Sequence, residues 1–178
     1  MTESCLIYKN FVPEAQWDEL REYALSPERE KESELATTSG NALNYRVAEV
    51  IKNPRCKEIV EPGVQIAIPE VCQRLNVPLF IPQKVEMELT ITRDGGFYKK
   101  HQDNGHPKNK NRKLSYVLYM SANFYGGDLA IFLGNTVKKI SPYPNVIAFF
   151  PCHLEHEVLP MYASHAASRR ITINGWVS

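Results

Sequence analysis

Five segments rich in β-branched and aromatic residues crowd the second half of the chain: VEMELTIT, KLSYVLYMS, DLAIFL, NVIAFFP and RRITINGWV. Each is strand-length, and turn chemistry separates them at Asp94-Gly95-Gly96, Gly126-Gly127 and Gly134-Asn135. No helical period intervenes, so parallel βαβ units are excluded. The expected product is an antiparallel sheet rolled into a sandwich or barrel.

The first half reads differently. From Pro13 to Leu25, residues Trp17, Leu20, Tyr23 and Ala24 share one helical face, and Pro13 suits a first helical turn. Ser26 to Asn41 has no apolar period and reads as a solvent-exposed loop. Between Cys56 and Leu75 the period returns but is interrupted by Pro62, Gly63 and Pro69, which predicts one or two short helices. The plan is a single domain over residues 1–178, with a helical support region over 1–78 and a β core over 79–178. At this length one core is the natural count.

Composition narrows the partners. The net charge of +1 supplies no global field toward nucleic acid, and no apolar run approaches the roughly 18 residues of a membrane helix. The start of the chain has no basic-then-apolar pattern of a secretory leader. Cys5, Cys56, Cys72 and Cys152 form no CxxC pair, which fits free thiols in a reducing cytoplasm rather than a zinc ribbon.

The chemistry concentrates at His101-Gln102-Asp103. Positions i and i+2 of a strand face the same side, so an imidazole and a carboxylate can reach one ion. A second imidazole would complete the two-His, one-carboxylate facial set that suits non-haem Fe(II) and leaves positions open. His156 follows the apolar run Val146 to Pro151 and is the favoured third member; His153, three residues earlier, is its rival. Arg169 and Arg170 open the last strand. Alternation puts Arg170 on the face of Trp176 and Arg169 on the opposite one, and a buried guanidinium there offers a fork for a carboxylate.

Taken together and in order, several pieces carry a resemblance. They are Asp94-Gly95-Gly96-Phe97-Tyr98, His101-Gln102-Asp103-Asn104, Arg112 to Tyr119, Gly126 to Phe132, Phe149-Phe150-Pro151, His156 to Pro160 and Arg170 to Trp176. The segment from Val85 to Trp176 resembles the prolyl-4-hydroxylase-like branch of the 2-oxoglutarate/Fe(II) oxygenases. The resemblance implies a double-stranded β-helix, a jelly roll of mainly β structure with N-terminal helices. It implies Fe(II) on His101, Asp103 and His156, with 2-oxoglutarate as co-substrate, O₂ as oxidant and ascorbate as a stimulant. Arg170 matches the arginine that holds the distal carboxylate, six residues before Trp176. Tyr119 matches a supporting tyrosine, and Ser115, on the same strand face, is grouped with it. A tyrosine usual upstream of the metal pair is replaced by Ile91 or Thr92.

The implied reaction is hydroxylation of a C–H bond, of a prolyl residue in a protein or peptide, with release of succinate and CO₂. Asp103 argues against halogenation, in which related enzymes lack the carboxylate. A free amino acid or small metabolite as substrate is the first alternative; a non-catalytic metal-binding jelly roll is the second, and a zinc hydrolase a weaker third. The loop from Asn104 to Asn111, with Lys108 and Lys110, reads equally as a substrate lid and as a solvated loop.

Overall fold

The computed structural model describes residues 3–36 and 45–178. Its centre is a seven-stranded antiparallel sheet. The strands, in spatial order, are β1 (Leu6–Lys9), β10 (Val146–Pro151), β6 (Leu114–Tyr119), β13 (Arg170–Val177), β4 (Val85–Thr92), β3 (Glu49–Lys52) and β2 (Glu34–Leu35). A second sheet runs β5 (Tyr98–His101), β11 (His156–Val158), β8 (Leu129–Leu133) and β9 (Thr136–Ile140). The short pair β12 (Met161–Ala163) and β7 (Phe124–Gly126) is separate. The expected mainly β, double-stranded β-helix architecture is present.

The central strands of the large sheet are buried on both faces, which explains why strands such as LSYVLY are nearly continuous apolar runs. One face carries Leu114, Tyr116 and Leu118 of β6 with Leu89, Ile91, Phe149 and Ile173 in the main core. That core is closed by helices α1 (Glu14–Leu25) and α3 (Lys57–Leu75). The other face presents Val117, Tyr119, Ala148 and Phe150 to Leu129, Ile131 and Ile140 of the second sheet. At Gly175 a side chain would collide with the ring of Tyr116 and with the Glu86 carbonyl, so only hydrogen lets β13 lie this close.

Helix α3 corrects the expectation of one or two short helices. Pro62 and Pro69 each delete a backbone donor, yet the nineteen residues form one helix. Val60, Val64, Ile68, Val71, Cys72 and Leu75 make an unbroken buried stripe along it, and that burial outweighs a proline cost of about 3 kcal/mol each. The helix ends where Asn76 turns left-handed (φ 54°) and its N–H reaches back to Cys72 and Gln73 carbonyls.

The reading of residues 26–41 as loop is corrected over its first part; residues 37–41 lie outside the described residues. Helix α2 (Glu28–Glu32) forms there without an apolar period, held instead by charge. Arg29 binds Glu32 at 2.8 Å and lies over the Tyr23 ring, and Glu30 takes Arg93 at 3.0 Å and Arg169 at 3.1 Å. The 1–78 region therefore supplies strands β1, β2 and β3 as well as helices, all docked on the large sheet. Strands of two to four residues are too short to show a period of their own.

Candidate metal centre

Strand β5 ends in His101, whose cross-strand neighbour on β11 is His156. Their ring centroids are 4.2 Å apart. Asp103 lies just beyond the strand, where its N–H donates to the Cys152 carbonyl at 3.1 Å and Gln102 Nε2 donates to the His153 carbonyl at 2.7 Å. His101 Nε2 is 3.5 Å from Asp103 Oδ1, and His156 Nε2 is 3.3 Å from Oδ2. Ligand-type atoms of all three residues fall within 4.8 Å of one another, so the set could hold one metal ion. His153 is exposed and offers only its carbonyl, which separates it from its rival His156.

Backbone contacts choose the imidazole tautomers. His101 Nδ1 lies 2.7 Å from the Lys99 carbonyl and His156 Nδ1 lies 2.9 Å from the Leu154 carbonyl. A carbonyl can only accept, so Nδ1 carries the proton in both rings and the Nε2 lone pair faces the shared space. Burial works against charge on Asp103, but His156 and His101 outweigh it and hold the carboxyl well below its usual range. Burial pushes His101 down, while Asp103 draws His156 up against its own burial.

Aromatic rings fix the imidazoles laterally. Tyr98 stacks on His101 with centroids 3.6 Å apart and an interplanar angle of 18°, and Phe150 meets His156 edge-on at 4.7 Å. Tyr98 and His101 are three residues apart, yet they pair with Val158 and His156, two apart. The extra residue in β5 is a bulge that brings Tyr98 to the side of His101. Simple alternation hides this contact.

On the inner face of the large sheet, β13 carries Arg170, Thr172, Asn174 and Trp176 opposite Thr92, Thr90, Glu88 and Glu86 of β4. Arg170 and Tyr119 are fully enclosed. Arg170 Nε donates to the Gly127 carbonyl at 2.8 Å and Nη1 approaches Thr172 Oγ1 at 3.4 Å. Arg170 Nη2 and the Tyr119 hydroxyl are two of four buried side-chain polar atoms without a partner among the described residues. Burial pushes the Tyr119 phenol up to about 12, so it keeps its proton and stays a donor. Gly127, at φ +69°, leaves room for the arginine; a Cβ there would sit 2.9 Å from Arg170 Cδ. Two stranded donors in one enclosed space need an acceptor, and a carboxylate answers that need.

The other expected residues divide. Arg169 faces away from Arg170, as alternation predicts, and is spent on Glu30. Thr92 is inward, opposite Arg170, and Ile91 belongs to the outer core. Ser115 is inward but turned to a different partner: its hydroxyl donates to Asp103 Oδ2 at 2.6 Å and lies 3.0 Å from Cys152 Sγ. The neighbouring Asp103 thus takes the one proton that Ser115 can donate. Lys108 and Lys110 are exposed on a loop with a 3₁₀ turn at Pro107–Asn109, and Arg112 Nη1 at its end binds the Asp103 carbonyl at 3.3 Å.

A model of the 2OG-Fe(II) oxygenase superfamily matches residues 87–178. The chain belongs to that superfamily. Within it, the chain is 28% identical over 187 residues to an uncharacterised PKHD-type hydroxylase of Synechocystis, covering 95% of this chain and 61% of that protein. It thus spans less than two thirds of that relative's length. Its fold is similar to a prolyl-4-hydroxylase of Pseudomonas putida, with TM-score 0.74 and 21% identity, covering 99% of this chain and 92% of the other. A Trichoplax adhaerens prolyl hydroxylase, solved with a hypoxia inducible factor peptide fragment, superposes with TM-score 0.81 at 20% identity, covering 99% and 84%. Among the described residues no helix is long and apolar enough to cross a membrane.

Proposed function

We propose that this protein is an Fe(II)- and 2-oxoglutarate-dependent hydroxylase of prolyl residues in a protein or peptide, releasing succinate and CO₂. The carrying observation is the pair of buried donors without a partner among the described residues, Arg170 Nη2 and Tyr119 OH, on the large-sheet face turned toward the second sheet, which carries His101 and His156. Ser115 touches Asp103, and Tyr119 is four residues farther along the same strand face, roughly 13 Å of strand. That span has room for a five-carbon diacid between metal and arginine.

In this reading His101, Asp103 and His156 hold Fe(II) through Nε2, a carboxylate oxygen and Nε2. With Nδ1–H held by a backbone carbonyl in each ring, Nε2 is the nitrogen offered to the metal, and the proton that Asp103 favours on His156 would leave on binding. Arg170 and Tyr119 hold the distal carboxylate of 2-oxoglutarate, and the enclosing sheet excludes water from it. Bound together, Fe(II) and 2-oxoglutarate supply the oxygen activation that protein side chains alone do not. Prolyl specificity is supported by the likeness to prolyl hydroxylases.

The test is anaerobic protein given Fe(II), 2-oxoglutarate and ascorbate, then O₂, with succinate followed by NMR with and without proline-containing peptides. Iron-dependent succinate, stimulated by peptide and lost in His101→Ala, is expected. Metal-loaded, folded protein that neither makes succinate nor binds 2-oxoglutarate would sink the reading.

A further inference from the structure

A second arginine borders the metal set and is absorbed by neither the metal nor the co-substrate. Arg46 forms a bridge pair with Tyr98, and its guanidinium lies 4.7 Å from the Tyr98 ring centre. It is therefore one ring removed from His101, on which Tyr98 stacks. Its Nη2 binds Glu88 Oε1 at 2.6 Å and reaches Thr90 Oγ1 at 3.5 Å. Asn174 Nδ2 donates to the same Thr90 oxygen at 2.7 Å. Arg46 and Glu88 are both about nine-tenths buried, their side chains 10% and 11% exposed.

This is a rigid fork. The aromatic ring fixes its plane, the carboxylate fixes one end, and Nε and Nη1 retain hydrogens with no bond among the described residues. Glu88 already matches the guanidinium charge, so the remaining edge donates without surplus charge. A neutral acyl oxygen can accept from that edge. A free carboxylate would bring a second negative charge beside Glu88, a desolvated like-charge contact that costs far more here than in water.

We infer that Arg46, positioned by Glu88 and Tyr98, is a specificity-determining residue that donates to an amide carbonyl of the substrate and, through Glu88, disfavours a free carboxylate at that place. The inference rests on the hydroxylase reading above and adds to it how the substrate is chosen. Lysine cannot replace the fork, because its ammonium is a point charge without a plane to stack or two parallel donors. Replacing Glu88 by glutamine keeps an acceptor and leaves Arg46 with an unmatched charge, which should welcome a carboxylate.

The experiment uses the full, Fe(II)-loaded chain and a set of proline tripeptides in two forms: acetylated and amidated, or with a free C-terminal carboxylate. Wild-type succinate formation and 2-oxoglutarate binding are measured first, and their absence overturns the hydroxylase reading itself. Given both, wild type is expected to favour the amidated form. Arg46→Lys should raise KM for it about tenfold with kcat changed less than about threefold, and Glu88→Gln should narrow or invert the preference. The inference is overturned by wild type that binds 2-oxoglutarate but prefers the free acid or responds to no peptide. It is equally overturned by an unaltered preference in both variants, or by equal losses on both peptide forms, the mark of a merely structural pair.

Discussion

Ser115 Oγ donates to Asp103 Oδ2 over 2.6 Å, tying the middle of the large sheet to the one carboxylate of the metal set. The contact fixes which way the carboxylate turns, since Oδ1 is left to His101 and Oδ2 is shared with His156. Ser115→Ala should therefore weaken Fe(II) or Mn(II) binding, by tenfold to about a hundredfold, as loss of an orienting partner does in metal sites. Affinity of the metal-saturated variant for 2-oxoglutarate should change little. Anaerobic metal competition and a co-substrate titration read the two separately; the reverse pattern would return Ser115 to the co-substrate.

Tyr119 makes an opposite kind of prediction. Its buried hydroxyl has no partner among the described residues, and a buried unsatisfied donor costs about 1–3 kcal/mol. Tyr119→Phe removes that cost and adds no volume. The metal-free variant should be as stable as wild type or more so in urea unfolding, while its 2-oxoglutarate affinity falls. A variant destabilised by more than about 1 kcal/mol would mean the hydroxyl is satisfied by a group such as a trapped water.

How far these residues were legible depends on the period each obeys. Arg170 and Tyr119 sit at the ends of long apolar strands, where strict alternation tells inside from outside, and Arg169 fell outward by the same rule. His101 and His156, on strands of four and three residues, were legible instead from the His-x-Asp spacing and the apolar run before His156. Ser115 obeyed it too, but alternation gives a face and not a partner, so its attachment to Asp103 was out of reach. Tyr98 was hidden by the bulge in β5, and Arg46 by lying outside any named strand. Helix α3 was obscured for another reason: Pro62 and Pro69 are local signals, and the buried stripe that overrides them is a tertiary one. Helix α2 has no apolar signal because ion pairs to Arg93 and Arg169, remote in sequence, hold it.

The Arg93–Glu49 pair beside them should be visible in acid. Arg93, with help from Ser33, holds the Glu49 carboxyl below its ordinary value against partial burial. A depressed folded-state pKa gives stability that is present above the unfolded value, near 4.5, and lost as pH falls through the folded one. Glu49→Gln should thus lower stability at pH 7 and flatten its decline below about pH 4.5. The partners are partly exposed, which limits the effect to about 1 kcal/mol or less. Urea midpoints at pH 7 and pH 3 should differ less in the variant than in wild type.

Cys152 lies beside Asp103 through the shared Ser115, near enough to invite the idea of a thiolate ligand. Burial, reinforced by the Asp103 charge, instead pushes its thiol up to about 12. Without metal it is a protonated neighbour, and its sulfur is not among the ligand-type atoms that gather within 4.8 Å, which come from His101, Asp103 and His156. Co(II) bound in place of iron should accordingly show ligand-field bands without a sulfur-to-metal charge-transfer band. The same burial covers the other three cysteines, with Cys5 and Cys56 likewise near 12 and Cys72 raised. A thiol reagent should label almost nothing in native protein and all four thiols in denaturant. A charge-transfer band that vanishes in Cys152→Ala would overturn this assignment and make the metal set one of four side chains.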